Sequence, residues 1–170
     1  MVAGRPDGAD ATMAGFYVYN NVGIAFRCFA TGILFGAGSI FFLVYNGLVT
    51  GCVLGWVIAS GHGRNILTFV SGHSPFELTA IVIAGAAGLQ VGYALIDTGG
   101  SSRKSSLLRA GRSAIVLVIG SGVALLIAAL IEGFWSASSA PEPLKWSVAV
   151  VNSLLVLGYL SFAGRAPRRA

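Results

Sequence analysis

Residues 28–61 read CFATGILFGAGSIFFLVYNGLVTGCVLGWVIASG, a run of 34 residues without a charged side chain. Three further stretches of about 20 residues that carry little or no charge follow it. In hydrocarbon a backbone must satisfy its own hydrogen bonds, which only helices and closed barrels can do. Long continuous apolar runs favour helices over the alternating strands of a barrel. The sequence therefore predicts an all-α, polytopic helical membrane protein.

The composition supports a bilayer as the solvent. Hydrophobic residues make up 55% of the chain and charged residues 10%, and the mean hydropathy is +0.81. A soluble domain of this size would have too few polar side chains to cover its surface. The net charge of +5 arises from residues in predicted loops and at the C-terminus, where membrane topology accounts for them. We therefore expect no nucleic-acid partner.

Five transmembrane helices are predicted, because a span takes about 20 residues of a core about 30 Å thick. They form one membrane domain over residues 15–165, between a flexible tail at 1–14 and a basic tail at 166–170. The predicted spans lie near residues 21–36, 40–60, 75–96, 111–135 and 144–163.

Two local signals define helix ends within this plan. Small residues cluster at 36–39, which predicts the corner between the first two helices. Ser74 is the expected N-cap of the third helix, with Pro75 at its first position and Glu77 completing a capping box. The third helix should therefore begin sharply at this point.

The distribution of basic residues predicts the orientation. One group lies between the third and fourth helices and another at the C-terminus, namely Arg103, Lys104, Arg109, Arg112, Arg165, Arg168 and Arg169. The alternate loops carry only Arg64 and Lys145. The positive-inside rule places the former groups in the cytoplasm, so the C-terminus is cytoplasmic and the N-terminus extracytoplasmic. A bacterial inner membrane suits this topology.

Glycine is the expected means of helix packing, and the chain has 24 glycines. Lipid leaves no hydrophobic drive between helices, so small residues that allow close backbone approach must supply the contacts. Two interpretations stay open, packing within the bundle and a homodimer interface. Asn46, which precedes Gly47, is expected to form a hydrogen bond to a neighbouring helix. The four-residue glycine repeats involve Gly32, Gly36, Gly47, Gly51, Gly55, Gly88 and Gly92.

Ionisable residues within the spans need ion-pairing partners or a functional role, since burying each one in the membrane costs a few kcal/mol of free energy. We expect them to gather near the outer boundary, together with His73 at the start of the third helix. Asn20 and Asn21 lie at the same end, where they are expected to cap the first helix. The ionisable residues are Arg27, Glu77 and Glu132.

Two explanations of this polar group remain open. In one, Glu77 caps its helix, Arg27 is the counter-ion of Glu132, and His73 is an ordinary boundary histidine. In the other, His73, Glu77 and Glu132 bind a divalent metal such as zinc or transfer protons. No catalytic residue is assigned, since no nucleophile elbow, phosphate loop or His-Glu-x-x-His helix occurs.

The chain resembles the stage II sporulation protein M family from about residue 16 to residue 165. This resemblance implies a multi-spanning bacterial membrane protein that acts with extracytoplasmic peptidoglycan-degrading partners. The segments that carry it are Tyr19-Asn20-Asn21 with Phe26, Phe29 and Gly32, then Asn46-Gly47, His73-Ser74-Pro75-Phe76-Glu77-Leu78, Gly85-Ala86-Ala87-Gly88-Leu89 and Ile131-Glu132-Gly133-Phe134.

Three functions follow from these observations. The first is a scaffold that recruits or positions peptidoglycan-remodelling proteins, with the polar group shaping or stabilising the docking surface. It has no resident cofactor and is a binding function rather than catalysis. The second is an intramembrane metal-dependent hydrolase that uses His73, Glu77 and Glu132. The third is a small-solute carrier or channel whose polar path runs past Asn46 and Arg27.

Overall fold

A computed structural model of the chain describes residues 9–163, which are mostly helical and contain no strand. Three short turns of other helical type join or extend the helices: a 3₁₀ turn at Thr31–Ile33 and π-helical turns at Ile58–His62 and Ile131–Ser136. The six α-helices are α1 (Ala9–Ala30), α2 (Ala37–Val57), α3 (Gly63–Val70), α4 (Ser74–Ile96), α5 (Arg103–Leu130) and α6 (Glu142–Phe162).

Together with the π-helical turns, these helices make five rods, which confirms the all-α, polytopic fold. Four rods are long and apolar enough to cross a membrane by length and composition. The fifth, α1, is less apolar because Asn20, Asn21 and Arg27 interrupt it. The four candidate spans are Ala37–Val70, Ser74–Ile96, Arg103–Ser136 and Glu142–Phe162.

Helix α4 lies at the centre of the bundle, where it contacts α1, α2, α5 and α6. Its buried residues are small or β-branched, among them Ala80, Ala84, Gly88 and Val91. Such residues let the neighbouring backbones come close, which is the main source of helix association in lipid. The bundle is therefore built around one helix that is rich in alanine and glycine.

Helix α1 begins earlier than predicted. Residues 9–14 are helical, so the prediction of a flexible tail is wrong for them. Residues 1–8 and the basic tail at 166–170 lie outside the described residues. Ala14 is buried and faces Gly133, and this close contact gives the early turns a packing partner. Asn21 lies in the middle of α1 and is not its N-cap.

The corner between the first two rods lies at residues 34–36, slightly before the predicted position at 36–39. Phe35 and Gly36 have positive φ angles of 54° and 84°. Ser39 belongs to α2 instead, where its hydroxyl donates a 2.6 Å hydrogen bond to the Cys28 carbonyl. This bond ties the start of α2 to the end of α1.

Two segments predicted as loops are helical. Helix α3 occupies most of residues 62–74, after a kink at Gly61, whose φ angle is 83°. Helix α5 begins at Arg103, so the basic residues of the predicted loop form its first turns. A rod of 34 residues is about 51 Å long, against a hydrocarbon core of about 30 Å. The basic start of α5 therefore extends beyond the apolar part of its rod.

The predicted capping box at the start of α4 is wrong. His73 occupies the N-cap position and no side chain caps the helix. The Ser74 hydroxyl donates back to the Val70 carbonyl at 2.6 Å, because α3 ends one short turn before α4 begins. Glu77 is thus free to face a different set of groups.

Four of the predicted packing glycines lie in tight helix contacts. A Cβ atom on Gly32 would overlap the backbone of Gly88, and one on Gly92 would overlap Gly36. A Cβ on Gly88 would also lie 2.7 Å from the carbonyl oxygens of Cys28 and Phe29. The corner of the α1–α2 hairpin therefore fits against α4 only because these positions have no side chain.

The glycines of α2 behave differently from those of α1 and α4. A Cβ atom on Gly47, Gly51 or Gly55 would meet nothing within 4 Å, so packing within the bundle is wrong for them. They lie on a rod whose most apolar window is entirely unburied. The homodimer interface stays a prediction for this face, and Asn46 is half-buried beside it.

Substituting Gly88 by alanine should lower the free energy of unfolding by about 1–3 kcal/mol, because the added methyl group overlaps two carbonyl oxygens. Gly51→Ala is the matched control and should leave stability unchanged or slightly raised, since its surroundings are open. Unfolding titrations of both variants in the same detergent would measure the difference. Equal losses would contradict the packing described above.

Candidate functional site

Three of the predicted polar residues meet at one end of the bundle. His73 lies in the turn between α3 and α4, Glu77 in the first turn of α4, and Glu132 in the π-helical turn that ends the α5 rod. One nitrogen or oxygen atom from each lies within 4.8 Å of the others. We call these three residues the acid–imidazole cluster, and the end of the bundle that holds it (residues 63–77 and 131–146) the rim.

The His73 ring is held from several sides. Its Nδ1 atom lies 3.1 Å from the Ser136 hydroxyl, and Phe69 packs edge-on with ring centroids 5.7 Å apart. Its Nε2 atom faces the carboxylates, 3.7 Å from Glu77 Oε2 and 3.9 Å from Glu132 Oε1. Only 3% of the residue is exposed, and this burial lowers the pKa of the imidazole. A neutral ring with Nε2 directed at two carboxylates is the result.

Glu132 and Ser136 both reach His73 from one π-helical turn, four residues apart and therefore near one face of the rod. Such a turn is wider than an α-helical turn by one residue and often occurs at functional sites. Here it spans Ile131–Ser136 and buries Glu132, Gly133 and Ser136. Gly133 lets α1 approach, because a Cβ there would contact Ala14. The same turn therefore forms one wall of the cluster and the contact with α1.

Glu132 is the least satisfied member of the cluster. The residue is 8% exposed, and its Oε2 atom is buried without a hydrogen-bond partner within the described residues. The indole nitrogen of Trp135 in the same turn is also buried without a partner there. Buried polar atoms are usually paired, so an unpaired carboxylate oxygen calls for an explanation. The unpaired Glu132 oxygen therefore leaves the cluster able to bind one further group.

Arg27 does not join the cluster. Its side chain is exposed, and its Nε donates a 3.1 Å hydrogen bond to the Gly23 carbonyl of its own helix. The predicted ion pair with Glu132 is therefore wrong. Asn20 is exposed and donates to the Oδ1 of Asn21 at 3.1 Å, while Asn21 is buried on the packed face of α1.

Sequence reasoning missed three polar residues that hold the rim together. Asn152 of α6 is buried and donates a 2.8 Å hydrogen bond to the Gly72 carbonyl. Lys145 donates to the carbonyls of Ser136 and Ser138 at 2.8 Å each. Ser136 orients His73, as described above. The available signal was the spacing of Ser136 four residues after Glu132, which places both on one face of a helix.

The outer surface of the rim is polar and separate from the buried cluster. Arg64 of α3 forms a bidentate pair with Glu142 of α6, with Nε 2.8 and 3.0 Å from the two carboxylate oxygens. Both side chains reach solvent or headgroups, and Asn65 is exposed beside them. Below this pair, an apolar groove of about 660 Å³ runs between α4 and α6. The rim thus has a polar surface at the Arg64–Glu142 pair and an apolar groove below it.

Such a bundle, with four membrane-length rods and a polar rim, is a multi-pass helical membrane protein. Residues 3–137 match the family described as stage II sporulation protein M, and the chain belongs to that family, as the resemblance predicted. The match includes the whole acid–imidazole cluster and ends before α6. Searches among curated proteins and among solved structures found no match.

Replacing Asn152 by alanine should reduce stability by about 0.6–1.7 kcal/mol, which are the average and the maximum measured for hydrogen bonds between membrane helices. The loss arises because the Gly72 carbonyl would keep no donor from α6. Ser153→Ala is a suitable control, since Ser153 bonds only within its own helix, to Ala149. Unfolding titrations in detergent would compare the two, and a Ser153→Ala loss as large as that of Asn152→Ala would refute the assignment.

Proposed function

We propose that this protein is a membrane scaffold that recruits or positions cell-envelope proteins which remodel peptidoglycan. The observation that carries the proposal is the family match over most of the chain. It agrees with a multi-pass helical bundle whose polar surface lies at one end. Catalysis on the glycan would then belong to the partner.

The two ends of the bundle differ in charge, and this supports an orientation. Because His73 contacts Ser136, the start of α4 and the end of the α5 rod share the rim. The basic residues at the start of α5 therefore lie at the opposite end. The positive-inside rule would place that end in the cytoplasm and the rim outside. The C-terminus would be cytoplasmic and the start of α1 extracytoplasmic, in a bacterial inner membrane.

The burial of the cluster refines its proposed role at the docking surface. His73 and Glu132 are 3% and 8% exposed, so they stabilise the rim rather than touch a partner. A partner would instead contact the exposed residues above them, among them Arg64 and Asn65 of α3. Helix α3 is fixed to α6 by the Arg64–Glu142 pair and follows the kink at Gly61. A short, anchored helix of this kind presents a defined surface.

The other two functions receive less support from the geometry. A hydrolase that uses the cluster would need a route for substrate to His73 and Glu132, which are almost fully buried. A carrier path past Asn46 and Arg27 loses one of its two residues, because Arg27 is exposed and bonded to its own helix. The scaffold therefore remains the proposal.

The orientation can be tested with single cysteines in a Cys52→Ala background, which removes the exposed native thiol and leaves Cys28 buried. In intact cells, a membrane-impermeant maleimide should label Asn65→Cys on the rim but not Lys104→Cys at the basic end. Permeabilised cells should show labelling of both. The reverse pattern in intact cells would place the rim in the cytoplasm and contradict the proposal.

A photo-crosslinking amino acid at Asn65 tests the scaffold function itself. We expect it to capture an extracytoplasmic envelope protein, because that side chain is exposed on the anchored helix. The same amino acid at Lys104, also exposed but at the basic end, is the control. Adducts would be identified by mass spectrometry. Finding no envelope protein at Asn65 above the Lys104 level would remove the main support for a scaffold.

A further inference from the structure

The rim holds two carboxylates and one imidazole close together, with His73 and Glu132 buried and Glu77 partly buried. Within residues 9–163, the side chain at ion-pair distance from Glu77 and Glu132 is that of His73 alone. The nearby cations are engaged elsewhere, Arg64 with Glu142 and Lys145 with backbone carbonyls. Two adjacent carboxylates that are both ionised would be costly at the edge of a membrane without a cation.

We propose that His73, Glu77 and Glu132 bind one divalent transition-metal ion, with zinc as the ion that best suits the donor set. One imidazole nitrogen and two carboxylate oxygens are ordinary zinc ligands. Two carboxylates, a neutral imidazole and a divalent cation also sum to no net charge. This neutrality removes the reason why the acids would otherwise resist burial.

The distances agree with such a site. Zinc bonds of about 2.0–2.2 Å in tetrahedral geometry place ligand atoms about 3.3–3.6 Å apart. The His73 Nε2 atom lies 3.7 Å from Glu77 Oε2 and 3.9 Å from Glu132 Oε1. These two gaps are too long for hydrogen bonds but only a few tenths of an ångström wider than the ligand spacing, and all three donor atoms lie within 4.8 Å of one another, so the two carboxylates must also move closer together. Small side-chain rotations would close them.

Two further observations point to a ligand rather than to a chance group of acids. The Oε2 atom of Glu132 is buried without a partner, on a residue that is 8% exposed. The other nitrogen of His73 lies 3.1 Å from the Ser136 hydroxyl, which leaves Nε2 available. Metal-binding histidines commonly use the second nitrogen in this way to fix the ring. Ser136 is thus a positioning residue for the site.

The ion would connect two rods at the rim. His73 and Glu77 come from the α3–α4 turn and α4, whereas Glu132 comes from the end of the α5 rod. Its role is to hold this end of the bundle together, independently of whether a partner docks above it. Removing the ion should therefore loosen the rim, while the glycine contacts near Gly88 remain.

The test measures metal in the full-length protein, purified in detergent without chelators. The purified protein should carry close to one zinc per chain by plasma mass spectrometry. Glu132→Gln and His73→Asn should lose it, while Glu142→Gln, a carboxylate at the same end but outside the cluster, should retain it. Ser136→Ala should keep the site but weaken zinc affinity by about 10–100-fold.

Two additional measurements keep the test independent of folding defects. Chelation of the unmutated protein should lower its melting temperature, and zinc but not magnesium should restore it. Cobalt added to the chelated protein should give a visible d–d absorption band that Glu132→Gln abolishes. Unmutated protein that neither carries nor takes up a transition metal would overturn the proposal. Equal metal content in all variants would overturn it as well, without bearing on the scaffold.

Discussion

The structure depends on backbone-to-backbone contact between the α1–α2 corner and α4. Gly32 lies against Gly88 and Gly36 against Gly92, at separations that leave no room for a Cβ atom. In lipid this closeness replaces the hydrophobic drive that folds soluble proteins. Helix α4 can occupy the centre of the bundle because most of its buried positions are alanine or glycine.

Hydroxyl-to-carbonyl hydrogen bonds reinforce these contacts at intervals along the bundle. Ser39 donates to the Cys28 carbonyl, and Ser121 of α5 donates to the Ala80 carbonyl of α4 at 2.7 Å. Both serines are fully or almost fully buried. A serine can make such a bond only where the backbones are already close, so the small residues and the hydroxyls act together.

The rim follows from the same packing. Because α4 and α5 run in opposite directions with close contact, the start of one and the end of the other fall at one level, and Glu77 and Glu132 become neighbours. The π-helical turn then brings Ser136 to His73 as well. The polar outer surface and the cluster with its unpaired oxygen thus have one structural origin.

The sequence by itself determined the membrane-embedded all-α class and the family, because unbroken apolar runs have few physical solutions. It named Gly32, Gly36, Gly88 and Gly92 as contact positions but left packing within the bundle and a homodimer interface open. It also named the three cluster residues. Tertiary structure alone decided that Arg27 bonds to its own helix and not to Glu132, that Gly47, Gly51 and Gly55 stay open, and that Ser136 and Asn152 hold the rim. Which face a helix buries depends on the helices packed against it, and local spacing cannot reveal which neighbours those are.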